Sequence, residues 1–201
     1  LSSALTGSQT TASPGSPITV ASGSWKNPLI WSTGAVPGIS DNATIADGHT
    51  VYIDTTVTVN SLTVGQGTSG TLLIGDDNTA RSITVIGNVD VKAGAIFRVN
   101  GASNTSGHTL TTSGNILNAG KFVMAPDADS RCAVTFNKNG TQTISGSGDS
   151  THFYTITLNM GASRTNVLDI FASNFTVSGS NFLTITNGTF NLATGATITP
   201  F

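Results

Sequence analysis

Three histidines, His49, His108 and His152, are the side chains of this 201-residue chain best suited to proton transfer or metal binding. They lie far apart, and none stands in a metal-ligand spacing with another His or Cys. Asp76 and Asp77 are adjacent carboxylates with Arg81 close behind. Inverting glycoside hydrolysis needs two carboxyls held about 6.5–9.5 Å apart, one as acid and one as base. Neighbours on a turn do not supply that separation, so Gly75-Asp76-Asp77-Asn78 reads as a solvated turn. Asp127-Ala128-Asp129 offers clustered oxygens of the kind Ca²⁺ accepts, but no regular aspartate repeat accompanies it. The single Cys132 sits in Cys132-Ala133-Val134-Thr135-Phe136 and reads as a small buried hydrophobe. No Ser-His-Asp order, nucleotide loop or Cys/His cluster is present. The expectation is a chain with no catalytic residue, no cofactor and no metal.

Elements must therefore carry the function, and the chain describes them through a returning phrase. Ser61-Leu62-Thr63-Val64 comes back as Ser82-Ile83-Thr84-Val85, Thr155-Ile156-Thr157-Leu158, Asn174-Phe175-Thr176-Val177 and Phe182-Leu183-Thr184-Ile185. Each copy alternates apolar with polar residues, the period of a strand with one buried face. Copies spaced by roughly twenty residues, or multiples of that, predict a coil stacked on itself. Gly and Asn-Gly steps punctuate the strands, as at Asp47-Gly48, Ala93-Gly94 and Asn139-Gly140. Stacked turns of this kind align Asn residues into ladders whose amides bond coil to coil. No segment sustains a period of 3.6, so almost no helix is expected. The strands are too short, and the hairpin signals too few, for a sandwich. Threonine rows also occur on ice-binding solenoids, which need a regular Thr-x-Thr array at fixed coil length; the spacing here is irregular.

Charged residues make up 9% of the chain, well below the usual quarter, while 37% is hydrophobic. That excludes global disorder. A net charge of −2 leaves no electrostatic footprint for nucleic acid. No apolar run reaches the ~18–20 residues of a membrane span, so no membrane insertion is expected. Abundant Ser, Thr, Asn and Gly with little Lys fits an exported protein. The N-terminus lacks Met and a charged leader, which points to an extracellular or cell-surface chain whose signal peptide is already gone.

Three regions follow. Residues 1–17 read as a flexible Ser/Thr/Pro arm, 18–45 as an N-terminal strand and cap, and 46–201 as the solenoid. Trp25 and Trp31 fall in the second region, in a Pro/Gly-rich loop suited to closing the first coil. The alternative role for Trp25 and Trp31 is a platform for a sugar ring. Ile18 and Val20 begin a strand able to add to a neighbour's sheet edge, and Ile198 and Phe201 lie on the last coil, which lacks an obvious polar cap.

The order Trp25, Trp31, Gly34, Pro37, Asp41, Ile45, then Gly48-His49-Thr50-Val51, then Ser61-Leu62-Thr63-Val64 resembles the opening of G8-like domains. Similar openings occur in β-helical segments of large secreted bacterial surface proteins. Gly140-Thr141-Gln142-Thr143-Ile144-Ser145-Gly146 and the ending Leu183 to Leu192 resemble later phrases of the same segments. An insertion at Asn137-Lys138-Asn139-Gly140 departs from them. The Gly-His steps at His49 and His108 resemble those of polysaccharide-degrading β-helices. The resemblance implies a surface location and a structural or adhesive role.

The expectation is an all-β, right-handed parallel β-helix (β-solenoid) with an extended N-terminal arm and a Trp-containing cap. It is non-enzymatic, extracellular, and structural or adhesive. Its partners are further copies stacked head to tail or flanking domains of the same polypeptide, with a glycan as a further ligand. The alternatives are a carbohydrate-binding module built on Trp25 and Trp31, and a polysaccharide hydrolase or lyase.

Overall fold

The computed structural model describes residues 15–193 and the backbone of 199–200. Its strands form three parallel sheets of eight, seven and six strands, and each turn of the chain contributes one strand to each sheet in rotation. The first full turn is Asn42–Ile45, Thr50–Ile53 and Val57–Val59; the second is Ser61–Val64, Thr71–Ile74 and Ser82–Val85. The result is a β-solenoid of about seven turns with two short 3₁₀ turns, Pro28–Ile30 and Gly101–Ser103, as its only helix among the described residues.

Strand register explains the alternation in the sequence. In the seven-stranded sheet Leu62, Val89, Ile116 and Ile144 stand above one another and point inward. In the eight-stranded sheet Phe97 stacks on Phe122, Phe122 on Phe153 and Phe153 on Phe175, with ring centroids 5.5, 5.1 and 5.6 Å apart. Offset and tilted ring pairs at this separation add to the area they bury. Leu62, Val64, Ile83, Val85, Ile156, Leu158, Phe175 and Val177 are all buried, as the pattern predicts. Leu183 and Ile185 depart from it. Leu183 is half-buried and Ile185 is 49% exposed, because their strand, Leu183–Asn187, ends the six-stranded sheet and has no coil beyond it among the described residues.

The coil varies in length. Residues that meet between coils lie 19 positions apart at Asn42 and Ser61, but 27 or 28 apart where Asn88 meets Asn115 and Asn115 meets Thr143. Ser61–Val64 and Ser82–Val85 belong to different sheets of the same turn. A spacing of roughly twenty residues therefore marks the step between coils in some places, as Asn42 to Ser61, and a passage between faces of one coil in others.

Corners of the coil hold the stack in register through backbone and amide groups. Asn115 donates its N–H to Asn88 Oδ1, and Thr143 donates its N–H to Asn115 Oδ1, both at 2.9 Å. Asn166 Nδ2 donates to Asn139 Oδ1 at 2.9 Å, and Asn60 Nδ2 to Asn42 Oδ1 at 2.7 Å. Gln142 is fully buried and donates to the carbonyls of Thr112 and Gly114 at 3.1 and 2.6 Å. Side-chain amides thus bond backbone N–H and C=O groups at the corners of the coil.

The N-terminal end is closed. Residues from Gly15 are already part of the fold: Asn42 and Thr44 donate their N–H groups to the carbonyls of Gly15 and Pro17, both at 2.9 Å. Ile18 pairs parallel with Thr44, and Thr19 antiparallel with Trp31. Asn27 caps the Pro28–Ile30 turn through Oδ1, with Pro28 at its first position.

Candidate functional site

The residues singled out for chemistry are occupied by structure. Arg81 bridges the adjacent carboxylates, its Nη2 at 3.0 Å from Asp76 and 2.8 Å from Asp77. Next to it His108 is fully buried against Ser103. Its Nδ1 accepts the Arg81 backbone N–H at 3.0 Å, so the neutral ring carries its proton on Nε2 and donates to Ser103 Oγ at 3.2 Å. A base that activates a serine needs the opposite arrangement. Burial, reinforced by the Arg81 charge, holds the His108 pKa below the usual 6.5, which keeps the ring neutral. Cys132 is buried, and desolvation raises its thiol pKa far out of the reactive range.

Asp127 Oδ1 accepts the backbone N–H groups of Asp129 and Ser130 at 2.9 and 2.7 Å, a local turn that uses the carboxylate internally. No cluster of three or more His, Cys, Asp or Glu side chains able to hold a metal occurs among the described residues. His49 Nδ1 pairs with Thr19 Oγ1 at 2.9 Å and ties the first coil to the cap.

Trp25 and Trp31 are 1% and 2% exposed and meet edge to face at 4.8 Å. Trp31 Nε1 donates to the Trp25 carbonyl at 3.0 Å. Rings buried in this way offer no face to a sugar, which speaks against the alternative role as a platform and for their place over the first coil. Asp54 fixes that cap: it accepts Ser24 Oγ at 2.5 Å and pairs with Lys26 Nζ at 3.0 Å. Burial opposes its charge, but the bonds from Ser24 and Lys26 outweigh burial and hold its pKa below 3.8.

Ile18 and Val20 also differ from expectation. Val20 N–H donates to the Ile30 carbonyl at 2.7 Å and Ser32 N–H to the Ile18 carbonyl at 2.8 Å. This backbone is bonded within its own chain, so it is not a free strand for a neighbour. Ile198 and Phe201 lie outside the described residues.

Two surface features emerge only in three dimensions. Thr58, Thr84, Thr111, Thr135, Thr157 and Thr184 stand in register on six successive strands of the six-stranded sheet. The irregular sequence spacing conceals this row. Beside it the row Ser82, Thr109, Ala133 and Thr155 is interrupted by Ala133, and the register slips after Leu158. A flat two-row lattice of hydroxyls therefore does not form.

The second feature is a groove on the outer face of the eight-stranded sheet. Its floor is the row Tyr52, Leu73, Arg98, Val123, His152 and Thr176, one residue per coil. The segment from Ala125 to Arg131 stands along it as a wall. Cavities of about 390 and 540 Å³ lie side by side along it and share Val123 and Pro126 in their walls. Arg131 lies over the Tyr154 ring, 4.7 Å from its centroid, and donates from Nη1 to Tyr154 Oη at 3.1 Å. His152 Nδ1 pairs with Thr176 Oγ1 at 2.6 Å, and burial lowers its pKa below 6.5. Arg98, then Lys121 with Arg131, then Tyr154 come from three successive coils, so no sequence motif announces them.

No family model, curated protein or solved structure matches the chain. Function therefore rests on the geometry alone.

Proposed function

We propose that this chain is a non-enzymatic, extracellular structural and adhesive module, closed at its N-terminal end and built to carry a further coil at the other. The contrast between the two ends carries this reading. At one end both tryptophans are buried and the segment from Gly15 to Val20 runs along the edge strand Asn42–Ile45. At the other end Ile185 is exposed, and Phe182, Leu183, Phe190 and Leu192 are only partly buried against the core. Part-exposed apolar residues over unpaired strand edges invite another coil.

A second copy stacked head to tail would meet the closed end rather than an open edge. That favours a module inside a larger surface polypeptide over a self-assembling filament. The commitment of Arg81, Asp76, Asp77 and His108 to structural bonds supports a non-enzymatic role.

Light scattering across a concentration series separates the two modes of stacking. The expected result is a monomer throughout; filaments that disappear in an Ile185→Asp variant would establish the head-to-tail mode instead. Release of reducing ends or unsaturated sugars from a polysaccharide panel would overturn the non-enzymatic reading. Surface labelling of the intact host cell, with an antibody to the folded chain, checks the location.

A further inference from the structure

We propose that the groove on the eight-stranded sheet binds a linear acidic polysaccharide, laid along the coil axis. The proposal rests on the adhesive reading above and names its ligand.

Charge is the first argument. The chain has a net charge of −2 and only eight Lys and Arg, yet three of them, Arg98, Lys121 and Arg131, line this one groove. Arg98 and Arg131 form no ion pair among the described residues, and Lys121 has only a 3.9 Å contact with the exposed Asp149. The one carboxylate in the lining, Asp127, is held by the N–H groups of its own turn and feels the Arg131 charge, which leaves Arg98 as the groove's unmatched arginine. Of the five cations outside the groove, three are matched at close range: Lys26 by Asp54, Arg81 by two aspartates and Lys92 by Asp90 at 2.5 Å.

Preorganisation is the second argument. The Tyr154 ring and hydroxyl fix the Arg131 guanidinium in place, and the remaining N–H donors of its fork suit a carboxylate. The Ser178 hydroxyl lines the same cavity and is buried with no hydrogen-bond partner among the described residues. A buried hydroxyl is normally satisfied, and a ligand hydroxyl or carboxylate oxygen in the groove satisfies this one.

Shape selects the polymer. The strands of the floor are paired on both sides by neighbouring coils, so an acidic peptide cannot add as a strand and gains no main-chain bonds. Recognition falls to side chains repeated every ~4.8 Å along the axis. A polysaccharide presents hydroxyls and carboxylates from rigid rings at a regular pitch, and its recognition by side chains needs no main-chain pairing.

Calorimetric titration of the folded chain with polygalacturonate oligomers at low ionic strength tests the proposal. Saturable binding is expected, weakening as salt rises. R98Q and R131Q should each weaken it roughly tenfold or more, and K138Q, at an exposed lysine outside the groove, should leave it unchanged. Methyl esterification of the oligomers should abolish it. Arg98 is exposed, so R98Q keeps the test decisive even if R131Q fails to fold. Absence of binding, equal binding of the esterified oligomers, or an equal loss in K138Q would overturn the proposal. Polyglutamate binding as tightly as polygalacturonate would overturn it in favour of an acidic protein partner. Light scattering on the same samples reports self-association separately, so failure of the groove is not confused with failure of the stacking module.

Discussion

Replacing Gly114 with alanine tests how tightly the coils are held. A Cβ at Gly114 would lie 2.1 Å from both the carbonyl carbon and oxygen of Gly87, and 2.5 Å from the Asn88 nitrogen. Ordinary carbon contacts are about 3.5–4.0 Å, so the two corners would have to part by more than 1 Å. Gly87 cannot retreat, because its own N–H donates to the Asn60 carbonyl at 2.5 Å in the coil below. Separation breaks the Val89 to Asn115 backbone bond and the Asn115 to Asn88 side-chain bond, both 2.9 Å. Two lost bonds at about 1 kcal/mol each, with overpacking of about 1–3 kcal/mol, give a destabilisation of about 3–5 kcal/mol. Without the clash the sign reverses: Gly to Ala at a position with ordinary φ stabilises by about 0.4–1 kcal/mol through the unfolded chain. Urea unfolding followed by circular dichroism, with a slope of about 2 kcal/mol/M, should show a midpoint lowered by about 2 M. Gly34→Ala is the control. Its Cβ meets nothing within 4 Å and only its positive φ of 68° is strained, a cost of about 1–2 kcal/mol. A Gly114→Ala midpoint equal to wild type, or above that of Gly34→Ala, would refute the close-contact argument.

Acid should loosen the first two coils selectively. The Asp47 carboxyl is held at about 2, against an ordinary 3.8, chiefly by the Gln66 N–H and the Thr68 hydroxyl. Its contribution is therefore complete above pH ~4 and lost as pH falls from 3.8 through about 2; the stability-versus-pH curve of Asp47→Asn should be flatter across that window. His108 and His152 should titrate below 6.5 by NMR, because burial disfavours the charged ring in each. Trp fluorescence should be blue-shifted, resist acrylamide quenching and stay constant on adding oligosaccharide, since both rings are buried. Leu62→Asp should abolish the folded circular-dichroism signal, because Leu62 is fully buried and an unpaired charge there costs several kcal/mol.

Much of the architecture was legible because alternation is a local property of the extended backbone. Leu62 and Val64 face inward for the same reason that Ser61 and Thr63 face outward, and no distant contact is needed to say so. Asparagine ladders could likewise be foreseen from recurring Asn and Gly at corners, and Asn88, Asn115 and Thr143 form one. Ile185 shows the limit of the pattern. Its phrase matches the buried copies, but burial requires a next coil, and periodicity within one strand does not report whether a neighbour exists.

The amino-acid sequence by itself determined that this protein is all β and built of short strands with one apolar face. Only the tertiary structure decided which strands stack. It placed Ser61–Val64 and Ser82–Val85 on different faces, aligned six threonines from irregular spacings, turned the tryptophans inward, and gathered Arg98, Lys121 and Arg131 along one groove. The physical reason is that face is set within a few residues by the pleat, whereas register is set by pairing between residues 19 positions apart at Asn42 and Ser61 and 28 apart at Asn115 and Thr143. Turns of unequal length separate those residues, and their lengths carry no phase until the coils close on one another.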